Sequence, residues 1–166
     1  MPRDHARILV SIWDDPEWTE LTTTEQVVYL AVLSSPDLSY CGVAPLLPQR
    51  LALCSADLTA AKVAKALQGL ASRRFLILDE RTAEVCVRTY LRHDGILKSR
   101  NVAIAAFKAL DRVRSEAIRE AVLDGFREAR RDLYPEGFPE GFAKPLQEGF
   151  PEGFAKAFSE GCANSP

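Results

Sequence analysis

Few side chains in this 166-residue sequence are of the kind that does covalent or metal chemistry, and their spacing does not suit it. The four cysteines, Cys41, Cys54, Cys86 and Cys162, are widely separated, and none belongs to a Cys-x-x-Cys pair. The only histidines are His5 and His93. A zinc site gathers about four soft ligands, usually with one close pair among them, so neither a metal nor another cofactor is expected. Cys54 and Cys86 lie in apolar runs and read as small core residues in a reducing compartment. Arg92-His93-Asp94-Gly95 contains a His-Asp pair, but a metal phosphohydrolase needs further His and Asp partners, and only His5 is left. There is no Gly-x-Ser-x-Gly elbow and no glycine-rich phosphate loop. The sequence therefore reads as a non-enzyme with no catalytic residue.

Charge is the remaining chemistry, and it is unevenly spread. The net charge of −2 sums three unlike segments. Residues 1–49 hold two basic and seven acidic side chains, residues 50–100 hold ten and five, and residues 101–166 hold nine and eleven. A face that meets a polyanion is set by the local field rather than by the total. The segment at +5 is where such a face belongs, and Lys62 and Lys65 stand out within it. Three residues apart, they share one side of a helix.

The elements that must position this pair follow from periodicity and caps. Arg7 to Trp13 is β-prone and predicts a short strand, ended by Asp14-Asp15-Pro16. Thr22 to Thr24 can cap a helix carrying Val27, Val28, Leu30, Ala31 and Leu33, closed at Ser34-Ser35-Pro36. Gly42 to Leu46 predicts a strand, and Pro48 to Cys54 a brief helix with Leu51, Ala52 and Leu53 turned inward. After a turn at Ser55–Thr59, a stronger helix runs from Ala60 to about Arg73, with Thr59 or Asp57 as cap. Its apolar stripe is Val63, Ala66, Leu67 and Leu70, which leaves Ala61, Lys62, Lys65 and Gln68 opposite. Two strands, Phe75–Leu78 and Val85–Tyr90, form a hairpin around the charged loop Asp79–Glu84. Two more helices are expected near Val102–Val113 and Glu116–Leu133, the second capped by Ser115 and carrying Ile118, Val122 and Phe126. Trp13 and Trp18 read as core or packing residues. The fold class is mainly α with a small β component (α+β).

From Tyr134 the composition changes. Pro-Glu-Gly-Phe occurs at 135–138, 139–142 and 151–154, with phenylalanines at a spacing of four. Each internal proline costs a helix about 3 kcal/mol and each glycine about 1 kcal/mol. Residues 134–166 therefore read as a low-complexity, largely disordered tail of net charge −3, with aromatic anchors for a protein partner.

Strand, short helix, turn, longer helix and hairpin, in that order over residues 42–90, are the elements of a winged helix-turn-helix. In that arrangement the longer helix enters a major groove about 12 Å wide and the hairpin touches flanking backbone. Ile8-Leu9-Val10-Ser11-Ile12-Trp13-Asp14-Asp15-Pro16-Glu17-Trp18, Leu38-Ser39-Tyr40-Cys41-Gly42-Val43 and Val87-Arg88-Thr89-Tyr90-Leu91-Arg92-His93-Asp94-Gly95 resemble winged-helix DNA-binding proteins of actinobacteria and their phages. Those proteins are in turn similar to the N-terminal domains of phage replisome organisers. The resemblance spans roughly residues 7–130. It implies a partner of double-stranded DNA and a role in transcriptional regulation or in replication initiation. Thr59, Ala61, Lys62, Lys65 and Gln68 are the expected contacts on the helix, and Arg73, Arg74 and Arg81 those at the hairpin. Arg92, Lys98 and Arg100 would extend the basic surface. The expected division is a DNA-binding unit at 1–98, partner or homodimer helices at 99–133, and the tail at 134–166. The alternative is a winged-helix interaction module that leaves DNA alone and uses its aromatic tail. No run reaches the ~20 apolar residues of a membrane span, and no signal peptide opens the chain, so a cytoplasmic protein is expected.

Overall fold

Local rules start most of the elements. Asp15 accepts the Glu17 N–H at 2.9 Å, with Pro16 in the first turn, and α1 (Pro16–Thr19) begins there. The short helix places Trp18, which is fully buried. Thr22 and Glu25 form a reciprocal capping box, the Glu25 carboxylate accepting the Thr22 N–H at 2.8 Å, and α2 (Thr23–Leu33) follows. Gly42 turns the chain at φ 80° into β1 (Val43–Pro45), a left-handed conformation that favours glycine. A computed structural model describes residues 5–134, apart from the side chain of Arg100.

After β1 come α3 (Pro48–Leu51), a 3-10 turn at Ala52–Cys54, and α4 (Ala60–Ser72) capped by Thr59. The hairpin is β2 (Leu76–Asp79) and β3 (Glu84–Val87). β3 lies between its two antiparallel neighbours, so the sheet order is β1-β3-β2, with Val43 opposite Cys86 and Ile77 also opposite Cys86. Then follow α5 (Tyr90–His93), a 3-10 turn at Ile96–Lys98, α6 (Arg100–Leu110) and α7 (Glu116–Leu133). The fold is mainly α with a small antiparallel sheet. Among the described residues no helix is long and apolar enough to cross a membrane.

One core runs from Trp18 to Ala129 and includes residues on both sides of position 98. Trp18, Tyr29 and Phe75 pack edge to face at 5.4–6.1 Å between ring centroids. Phe107 of α6 stacks on Phe126 of α7 at 4.1 Å. The buried stripes of α4 (Val63, Ala66, Leu67, Leu70) and α7 (Ile118, Val122, Phe126) are those the periodicity gives. Tyr134 still belongs to the folded body, because its hydroxyl donates to the Leu97 carbonyl at 3.1 Å. The tail reading beyond it falls outside the described residues.

Several local expectations differ. The strand expected at Arg7–Trp13 is absent, and a 3-10 helix occupies Val10–Asp14. β propensity depends on context and does not by itself make a strand; the sheet pairs only β1, β2 and β3, and neither outer strand takes up this run. Trp13, 61% exposed, stays outside while Trp18 is the core residue. Leu53, 84% exposed, and Cys54 both point outward. The 3-10 turn changes the angular step between residues, so a stripe extrapolated from α-helical spacing loses its phase there. Tyr90 lies in α5 and not in a strand.

Candidate nucleic-acid interface

α4 orients five of the expected contact residues. The Thr59 hydroxyl accepts the Lys62 N–H at 3.3 Å, which satisfies one of the free donors of the first turn. Burial of Val63, Ala66, Leu67 and Leu70 leaves Ala61, Lys62, Lys65 and Gln68 exposed on the other side. The Lys62 ammonium donates to the Asp57 carbonyl at 2.8 Å, and so is held over the N-terminal turn. The partial positive charge of that helix end adds to it. Lys65 has no ion pair among the described residues.

The hairpin turn joins this face. Gln68 Nε2 donates to Glu80 Oε1 at 2.8 Å, which brings the middle of α4 against the turn where Arg81 is exposed. On its other side the hairpin is fastened to α7. The buried Glu84 carboxylate accepts the Arg114 N–H at 3.0 Å and the Ser115 N–H at 2.7 Å. Burial alone would push the Glu84 carboxyl up, but the donors at this helix N-terminus outweigh it and hold it below its ordinary value. Asp79 is lowered as well, by the Ser115 hydroxyl first and the Thr82 N–H second. Of the two hairpin glutamates, Glu84 is thus engaged by α7 and Glu80 by Gln68.

The remaining expected residues lie elsewhere. Arg73 and Arg74 close α4 at its C-terminal end, about 20 Å from Thr59 at 1.5 Å per residue. Arg73 pairs with Glu20 at 3.3 Å, and Arg74 has left-handed backbone at φ 63°. Arg92 is held by Asp132 at 3.1 Å and Glu128 at 4.0 Å, which ties α5 to the last turns of α7. Lys98 is exposed in the turn before α6, and Arg100 opens α6. Thr59, Ala61, Lys62, Lys65, Gln68 and Arg81 therefore share one face, from which Arg73, Arg74 and Arg92 are set apart.

Arg73 and Arg74 line a different feature, a cleft of about 240 Å³ completed by Arg7 and Arg88. Sequence reasoning passed over both. The Arg88 N–H donates to the Phe75 carbonyl at 3.3 Å, so a correctly registered hairpin would have placed Arg88 opposite this segment. Arg7 carries no comparable local signal. His93 also lines the cleft, and its pKa is lowered first by burial and then by neighbouring Arg92, which favours the neutral ring. No family model, curated protein or solved structure matches this chain.

Proposed function

We propose that this protein is a winged-helix binder of double-stranded DNA, of the phage or prophage type, acting in transcriptional regulation or replication initiation and carrying no catalytic activity. The observation that carries the reading is the exposed N-terminal half of α4, with Lys62 and Lys65, lying beside the hairpin turn that bears Arg81. The order α2, β1, α3, α4, β2, β3 with a β1-β3-β2 sheet supports it, because a winged helix offers its second helix to the major groove in this way. On this reading Thr59, Ala61 and Gln68 approach base edges, while Lys62, Lys65 and Arg81 neutralise phosphate. The compartment is the cytoplasm.

The competing reading is an interaction module that does not touch DNA. The small number of cations on the face favours it, as does the net charge of −2. Salt dependence of binding to duplex DNA separates the two. Three phosphate contacts give a log-log slope of about −2.7, a loss of about 40-fold in affinity between roughly 50 and 200 mM salt. With Lys62 and Lys65 replaced by Glu, the loss over the same range falls to about fourfold and binding at low salt collapses. Absence of any binding by the intact chain at roughly 50 mM salt rejects the DNA reading.

A further inference from the structure

The cleft between the N-terminal segment, α1, α2 and the start of β2 combines two chemistries. Four guanidinium groups line it, from Arg7, Arg73, Arg74 and Arg88. Asp15 and Glu17 are the carboxylates of its lining, and Asp15 is engaged as the cap of α1. Arg74 and Arg88 have no ion pair among the described residues. They also both line a second hollow along β2. The floor of the cleft is apolar, formed over the buried Trp18 and Tyr29 and the half-buried Phe75 together with Ile12 and Leu33. The Trp18 indole N–H is buried and meets no acceptor among the described residues. Cations around an apolar floor fit a ligand that pairs a carboxylate with a phenyl ring.

We propose that this cleft receives the chain's own Pro-Glu-Gly-Phe repeat. Each copy sets a glutamate and a phenylalanine two residues apart, and the three copies lie within 135–154. The tail is acidic, with five Glu against Lys144 and Lys156, where the cleft is basic. Its starting point adjoins the cleft. The Arg92–Asp132 pair ties the last turn of α7 to α5, whose final residue His93 lines the cleft, and the repeats begin one residue after Tyr134. At roughly 3.3 Å per extended residue, the chain can run about 13 Å from Tyr134 to Phe138 and about 26 Å to Phe142. Exposed ion pairs are individually weak. The tether supplies a high effective concentration, and three copies multiply the ways to engage. A cleft of about 240 Å³ is below the ordinary range for ligand sites of roughly 300 Å³ and more, and so accommodates one repeat's side chains at a time. The occupied cleft lies at the far end of α4 from Thr59, so the repeat leaves the proposed DNA face open.

The intact chain reports on this directly. Trp13 and Trp18 are its only tryptophans, and Trp13 is exposed with its ring 6.2 Å from that of Trp18 at the cleft. The comparison is between the intact chain and a full-length variant with Phe138, Phe142, Phe150, Phe154 and Phe158 all replaced by Ala. The expected result is a blue-shifted emission and a several-fold lower acrylamide quenching constant in the intact chain. Arg74→Glu with Arg88→Glu should behave like the tail variant, and both should keep the circular dichroism of the parent. Added Pro-Glu-Gly-Phe-Ala-Lys peptide should shift the tail variant back towards the parent. Equal quenching of intact chain and tail variant overturns the proposal. An effect that vanishes on dilution overturns the intramolecular form in favour of exchange between two copies. No DNA enters the measurement, so its outcome is independent of the proposed function.

Discussion

Glu84→Ala removes the carboxylate that joins the hairpin to the N-terminus of α7, and the structure sets the expected cost. Two backbone donors lose their acceptor, the Arg114 N–H at 3.0 Å and the Ser115 N–H at 2.7 Å. Ser115 is fully buried, so water does not replace the lost partner there. An orphaned buried donor costs about 1–3 kcal/mol, and one that water reaches costs less. The carboxylate also complements the positive end of α7, an effect worth about 0.3–1 kcal/mol near a surface. Together these give about 2–4 kcal/mol, a large part of the roughly 5–15 kcal/mol that holds an ordinary domain together. At roughly 4 °C per kcal/mol, the melting temperature falls by about 8–16 °C. Differential scanning calorimetry or thermal circular dichroism reads this. Glu80→Ala, four residues earlier and exposed, is the matched control, with an expected change of about 0.5 kcal/mol or less. The pH profile gives a second readout. A carboxyl lowered in the folded state adds stability above its unfolded pKa of about 4.3 and loses it as pH falls through the folded value. The parent should therefore destabilise below about pH 4, and Glu84→Gln should flatten that limb. Equal melting temperatures for Glu84→Ala and Glu80→Ala would refute the reasoning.

Two other outcomes follow from the packing. Gly42→Ala should cost about 2–4 kcal/mol, since a Cβ there lies 2.8 Å from Tyr90 Cβ and the backbone is at φ 80°. Urea denaturation measures it, and a midpoint equal to the parent's would show that Tyr90 yields freely. Native alkylation followed by peptide mapping should label exposed Cys54 and spare Cys41 and Cys86. Burial pushes the Cys86 thiol up to about 12 and raises Cys41 too, which disfavours the reactive thiolate at both. Labelling of Cys86 at the rate of Cys54 would contradict its burial.

Legibility in the sequence follows the range of the interactions involved. The caps at Thr22, Thr59 and Ser115, the stripes of α4 and α7, and the turn between β2 and β3 depend on residues within a few positions of one another. Hence the order of short helix, longer helix and hairpin, and the exposure of Lys62, Lys65 and Gln68, follow from spacing alone. Arg7 to Trp13 shows the limit, because β propensity alone does not recruit a run to a sheet, and the edges of β1 and β2 do not pair with it. Leu53 and Cys54 show another, because apolar type in a short 3-10 turn does not fix direction.

Only the tertiary structure decided which charges act together. It drew Glu84 out of the hairpin's electrostatics by placing it under α7, and it neutralised Arg92 against Asp132 from 40 residues away. It gathered Arg73 and Arg74 with Arg7 and Arg88 in one cleft over Trp18 and Phe75. The reason is physical. Helix caps and amphipathic stripes are written in local spacing, whereas a charge's partner is whatever the packing of the core brings within a few ångströms.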